Sequence, residues 1–231
     1  MKDLKLKLII TLLLISSLLF PASVFAKTGL ILGVSSSAIE DQSMEESKAI
    51  LLARLAKLGK SQFKDAHYVI TDMATGNTLW QGAGKELFTK KRVEGLLEAV
   101  KQKSDTCSNL LAGWRGIANH IRQLKWAGIE QIHLVTFGSM LNTGDHGECK
   151  GTLHLPQLIP AQLRVERILE QPEIQSVHLM NVNSWQLPIW METLEGTIEY
   201  FREKNKFITL NEKTGTQALL RRKAKTWLIT N

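Results

Sequence analysis

The chain has 231 residues, 44% hydrophobic and 22% charged, with a formal net charge of +7 and two cysteines. That length suffices for one domain with a real core. The basic excess gathers at the end, in Arg221, Arg222, Lys223 and Lys225. It forms no stripe interleaved with aromatics, so composition argues against a nucleic-acid partner.

The chain opens with Lys2, Lys5 and Lys7, then an apolar run from Leu8 to Phe20, then Val24-Phe25-Ala26. Basic start, apolar core and small-residue cleavage site describe a secretory signal peptide over residues 1–26, cut between Ala26 and Lys27. Its apolar core is short for a membrane span, which takes about 20 residues. No later stretch approaches that length, so the expectation is a periplasmic or secreted domain over 27–231 with no stable membrane insertion. Three lysines and one aspartate leave with the leader, and the remainder carries +5. In an oxidising compartment Cys107 and Cys149 point to a disulfide. Closing a loop of about 40 residues, it is worth about 3–4 kcal/mol on the chain-entropy model.

The first strand is Gly29-Leu30-Ile31-Leu32-Gly33-Val34, breaking into Ser35-Ser36-Ser37. Ser43-Met44-Glu45-Glu46 has the form of a capping box. It opens a helix with Ile50, Leu51, Leu55 and Leu58 at helical spacing and Gly59 as a stop. His67–Thr71 and Thr78–Gln81 are β-rich, and the turn Asp72-Met73-Ala74-Thr75-Gly76-Asn77 between them makes them antiparallel neighbours. Val93, Leu96, Leu97 and Val100 mark a second helix. A third runs from about Asn109 to Ala127 and ends at Gly128.

Ile129 to Phe137 is a nearly continuous apolar run, the pattern of a strand covered on both faces. Residues 138–160, rich in Gly, Asn, Thr and Pro, form a loop long enough to be suspected of function. A helix over Ala161–Gln171, a strand over Val177–Val182, and a helix carrying Ile189, Leu194, Ile198 and Phe201 follow. A short strand at Phe207–Leu210 and a basic closing helix complete the chain. The order β-α-ββ-α-α-β-loop-α-β-α-β-α predicts a doubly wound α/β fold: a mostly parallel sheet of about six strands, one of them antiparallel, with helices on both faces. No GxGxxG or GxxxxGK[ST] follows the first strand, so a phosphate cradle lacks its usual chemistry.

From Thr28 to Asn211 this pattern resembles a von Willebrand factor A-like domain. That family has a six-stranded doubly wound sheet with an early hairpin. Its metal site joins Asp-x-Ser-x-Ser after the first strand, a Thr before a later helix, and an Asp after the fourth strand. Here Ser35 and Ser37 match the two serines, while Gly33 stands at the first aspartate position. Ser108 stands for the Thr in Ser108-Asn109-Leu110, with Thr106 as an alternative register. Phe137 takes the second aspartate position in Thr136-Phe137-Gly138. Three hydroxyls without either carboxylate do not offset the dehydration of Mg²⁺. Asp41, Asp72, Asp145 or Glu148 are the carboxylates that could move in, and spacing selects none of them. The resemblance therefore implies a degenerate metal site, with no cofactor expected. It also places Cys107 and Cys149 on one edge, where their bridge would tie down the loop 138–160.

Asp145-His146-Gly147-Glu148, with His154, reads as a solvated polar loop; the competing reading is a metal-dependent hydrolase centre within 138–160. Ser35–Ser37 lack the GxSxG surroundings of a nucleophile, and His178 lies inside an apolar strand. Trp114 has core spacing; Trp185 and Trp190 flank Leu187-Pro188, where an exposed aromatic could anchor a partner, and core or rim packing is the favoured reading. The sequence thus predicts a non-enzymatic, exported protein-binding domain. Its ligand edge is built from Ser35, Ser37, Ser108 and Asp145, and its partner is a protein of the cell envelope, as in a secretion or conjugation apparatus.

Overall fold

A computed structural model describes residues 27–37, 44–61, 63–87, 89–103, 107–142 and 164–222. The elements in chain order are β1 (Thr28–Val34), α1 (Met44–Gly59), β2 (His67–Asp72), β3 (Thr78–Ala83), α2 (Gly84–Leu87), α3 (Lys90–Val100), α4 (Leu110–Trp126) and β4 (Gln131–Phe137). Then come α5 (Val165–Leu169), β5 (Ile174–Met180), α6 (Leu187–Thr193), α7 (Glu195–Glu203), β6 (Phe207–Asn211) and α8 (Lys213–Arg221).

The six strands lie in the order β3-β2-β1-β4-β5-β6. Only β3 runs antiparallel, against β2. All the other pairings are parallel. Strand order reverses between β1 and β4, whose ends meet at the pair Val34 and Phe137. A doubly wound sheet opens its crevice at such a reversal, at the strand carboxyl ends.

Two hydrophobic cores sandwich the sheet. Leu30, Leu32 and Val34 of β1 face one layer, which draws on α1, α2, α3 and α8. Ile31 faces the other, built from α4, α5, α6 and α7. On that second face β1 presents Gly29 and Gly33, and the missing side chains let the opposite layer close in. A Cβ on Gly29 would stand 2.9 Å from Leu124 Cδ1 of α4. Alternation in β1 is therefore large on one side and nearly smooth on the other.

Several expected positions shift. Ile50 is 38% exposed, and the buried stripe of α1 runs instead through Leu51, Leu52, Leu55 and Leu58. Gly59 ends α1 by close packing, since a Cβ there would lie 2.3 Å from the Gly84 carbonyl oxygen. The short helix α2 has no periodic signal of its own. The fifth strand begins at Ile174 and ends at Met180. The helix expected through Ile189 and Phe201 is two helices, α6 and α7, divided at the buried Leu194. Ser43, residues 1–26 and most of the loop 138–160 lie outside the described residues.

Candidate functional site

The switch point is a convergence of chain turns. Ser35 donates its backbone N–H to the Phe137 carbonyl at 2.9 Å, joining the ends of β1 and β4. Met73 N–H donates to the Val34 carbonyl at 3.0 Å, joining the β2–β3 turn to the same place. Lys103 N–H reaches the Ser36 carbonyl and Asn109 N–H the Ala74 carbonyl, both at 3.0 Å. The Asn109 carboxamide oxygen caps α4 at Ala112 N–H, 2.9 Å, and Asn142 accepts from Leu110 N–H at 3.3 Å. The segments around Ser35, Asp72, Ser108 and Gly138 are thereby one assembly.

Asp72 is the hub that sequence reasoning did not single out. Its Oδ1 accepts from Ser36 N–H at 3.1 Å and Ala74 N–H at 3.0 Å. Its Oδ2 accepts from Ser36 Oγ at 2.8 Å and Thr75 Oγ1 at 3.0 Å. The side chain is 2% exposed, and four donors satisfy both oxygens, which is what a buried carboxylate requires. The signal was present in the sequence: an Asp opening Asp-x-Ala-Thr-Gly is an Asx-turn former, its carboxylate bonding the backbone two residues on. Its bond to Ser36, by contrast, spans 36 positions and has no local signature.

Of the predicted contact residues, the three described ones, Ser35, Ser37 and Ser108, are buried inside this edge. Ser35 and Ser108 are 4% and 3% exposed, and Ser36 and Ser37 are fully buried. Ser35 Oγ accepts from Ser37 N–H at 3.3 Å, closing the turn on itself. Asp41, Asp145, His146, Glu148, Cys149 and His154 lie outside the described residues. Cys107 is disulfide-bonded.

The two positions that the resemblance aligns with aspartates, Gly33 and Phe137, are enclosed by packing. A Cβ on Gly33 would stand 2.5 Å from Met73 Sδ, so the methionine side chain fills the place from which a carboxylate would project. Phe137 is fully buried in the core beneath α1. Met73 in turn presses on α4, because a Cβ on Gly113 would lie 2.3 Å from its carbonyl oxygen. Among the described residues, the donor set at this edge does not fit a hard dication. Three hydroxyls carry no charge, and the carboxylate beside them already accepts four hydrogen bonds, whereas Mg²⁺ requires anionic oxygens in a near-ideal octahedron.

A buried lysine braces the assembly from α1. Lys48, fully buried, donates to the Val100 carbonyl at 2.9 Å and pairs with Glu45 at 2.9 Å. Glu45 also accepts from Gln102 N–H at 3.2 Å. The end of α3 is fixed just ahead of Lys103, which holds the serine turn.

Among the described residues, the histidines lie elsewhere. His133 of β4 shares a 2.7 Å hydrogen bond with Ser176 Oγ and meets Phe63 edge-on; burial pushes its pKa down to about 4. His178 of β5 bonds Thr209 Oγ1 at 2.9 Å and lies against Phe207, packed within the sheet as its apolar setting predicted. His120 bonds Thr78 Oγ1 at 3.2 Å, and burial lowers its pKa. Trp114 and Trp190 are core residues with ring centroids 6.1 Å apart. Trp185 is 67% exposed and Trp126 83%. Among the described residues no helix is long and apolar enough to cross a membrane.

No protein-family model matches the chain, and no curated protein matches it. Among solved structures it is similar to the pilus adhesin SpaC from Lactobacillus rhamnosus GG in its open conformation. The TM-score is 0.51 at 11% identity, over 89% of this chain and 30% of that one. The chain thus spans less than a third of the adhesin's length, and the likeness is one of fold: a six-stranded mixed α/β sheet, one strand antiparallel, wrapped by helices.

Proposed function

We propose that residues 27–231 form an exported, non-enzymatic protein-binding domain of von Willebrand A-like architecture, which serves a bacterial envelope apparatus such as a secretion or conjugation system. The observation that carries this reading is the closed hydrogen-bond set around Asp72. Ser36, Ala74 and Thr75 use up the carboxylate at the switch point, so the edge offers shape and backbone groups in place of a bridging metal. Its fold neighbour is described as a pilus adhesin, which is consistent with a binding domain on this fold.

In this reading Ser35, Ser37 and Ser108 set the shape of the edge from within, and Asp145 belongs to the loop that meets the partner. In the same reading Cys107 pairs with Cys149, the chain's other cysteine, and the bridge ties down that loop. The partner is a protein of the envelope, held without a cofactor. The test is crosslinking in whole envelopes followed by reconstitution of the captured protein with purified domain. Ser35→Ala and a deletion within 143–160 should each reduce binding of that defined partner, with the deletion acting more strongly. A stoichiometric transition metal in the purified protein, with hydrolytic activity lost on chelation, would overturn the reading in favour of an enzyme centred on Asp145, His146 or Glu148.

A further inference from the structure

The helical layer of α4, α5, α6 and α7 carries two grooves of opposite charge. Between α4 and α5 a groove of about 280 Å³ has Ile121 and Ile168 in its floor and Arg122, Arg164 and Arg167 on its walls. On α6 and α7 a second, of about 490 Å³, combines Met191 and Ile198 with Glu192, Glu195 and Glu199, and Arg202 closes one end. Glu195 and Glu199 stand at i and i+4 on α7, which places them along one ridge, and Glu192 lies before them near the end of α6. Met191 is 46% exposed beside them, and among the described residues a Cβ on Gly196 would meet nothing within 4 Å.

None of these six charges is in an ion pair among the described residues. Every ion pair found there uses a lysine: Lys48, Lys85, Lys90, Lys101 and Lys125. The arginines are thus left with the planar guanidinium that grips carboxylates in pairs. Arg122 donates only to its neighbour Asn119, at 2.6 Å. A matching carboxylate ridge lies on the same side of the same molecule.

We propose that this layer is a self-association surface. The exposed acidic surface of α6 and α7 of one copy, carrying Glu192, Glu195 and Glu199, packs against the Arg122–Arg164–Arg167 surface of a second. Both features lie in one helical layer, so a two-fold axis makes the contact twice and closes a dimer. The apolar floors supply burial, and the charges supply register and orientation. The surface lies on one face of the sheet, apart from the serine edge, and the inference stands independently of the function proposed for that edge.

Sedimentation equilibrium of the purified full-length mature protein tests it. At low ionic strength the protein should follow a monomer–dimer equilibrium, weakened about tenfold or more near 0.5 M salt because exposed pairs are screened. Arg122→Glu with Arg167→Glu should be monomeric, and so should Glu195→Lys with Glu199→Lys. An equimolar mixture of the two variants should restore dimers, because each intact surface then meets its complement and the reversed pair is complementary again. Restoration also shows that both variants are folded. A wild type that stays monomeric at low salt, variants that associate as the wild type does, or a mixture that fails to associate would each overturn the proposal. Capture of an acidic partner, a nucleic acid or a membrane by a monomeric wild type counts among those outcomes.

Discussion

Ser36 and Asp72 are joined twice, through the serine N–H at 3.1 Å and its hydroxyl at 2.8 Å, with both residues buried. This double bond ties the exit of β1 to the exit of β2, so the serine turn is held at the sheet edge by a carboxylate from the neighbouring strand. Removing one partner strands buried polar atoms of the other. Asp72→Ala should therefore destabilise the domain by about 2–4 kcal/mol and Ser36→Ala by about 1 kcal/mol. In urea denaturation the double mutant should show a coupling energy of about 0.5–3 kcal/mol. Additive effects would mean that the two groups act independently.

Gly33 is the position at which the family-like site could seem repairable. Gly33→Asp should nevertheless destabilise the domain by about 1–3 kcal/mol, because its Cβ would overlap Met73 Sδ. Magnesium should leave the melting temperature of the variant unchanged. In a Met73→Ala background, where the space is open, the same substitution should cost measurably less. Equal penalties in the two backgrounds would show that the methionine is not the obstacle.

His133 makes stability depend on pH in a definite direction. Its folded pKa is about 4, below the ordinary 6.5, owing to burial. Between those values the unfolded chain binds a proton that the folded chain refuses, so stability is complete above pH 6.5 and falls as the pH drops toward 4. The full effect is about 3 kcal/mol. His120 titrates in the same sense. Replacing His133 with Asn should flatten the slope of unfolding free energy across this window, measured by denaturant titration at several pH values.

The disulfide at Cys107 makes a chemical prediction. With Cys149 as its partner, reduction should lower stability by about 3–4 kcal/mol on the chain-entropy model. Peptide mapping under non-reducing conditions should recover the two cysteines in one crosslinked fragment. Two free thiols in the oxidised protein would contradict the pairing.

Local pattern sufficed for the architecture. Short apolar runs alternating with amphipathic helices already implied a doubly wound sheet, and the Asp72–Asn77 turn fixed the one antiparallel strand, because a short turn leaves its flanking strands no other arrangement. Departures arose where local signals competed with packing. Ile50 has helical spacing yet points outward, because the layer beneath α1 is filled by Leu51, Leu52 and Leu55. Leu194 is buried at a helix junction, which periodicity alone cannot register.

At the edge itself, sequence placed the landmarks and tertiary structure decided their use. Gly33, Ser35, Ser37, Ser108 and Phe137 are marked by the family resemblance, which needs only the end of a strand or the start of a helix to locate each. That Asp72 would satisfy Ser36, that Met73 would fill the space beside Gly33, and that Lys48 would reach Val100 could not be read in that way. Those contacts join positions 36, 40 and 52 residues apart, and only the docking of β2 beside β1 and of α3 against α1 brings them within reach.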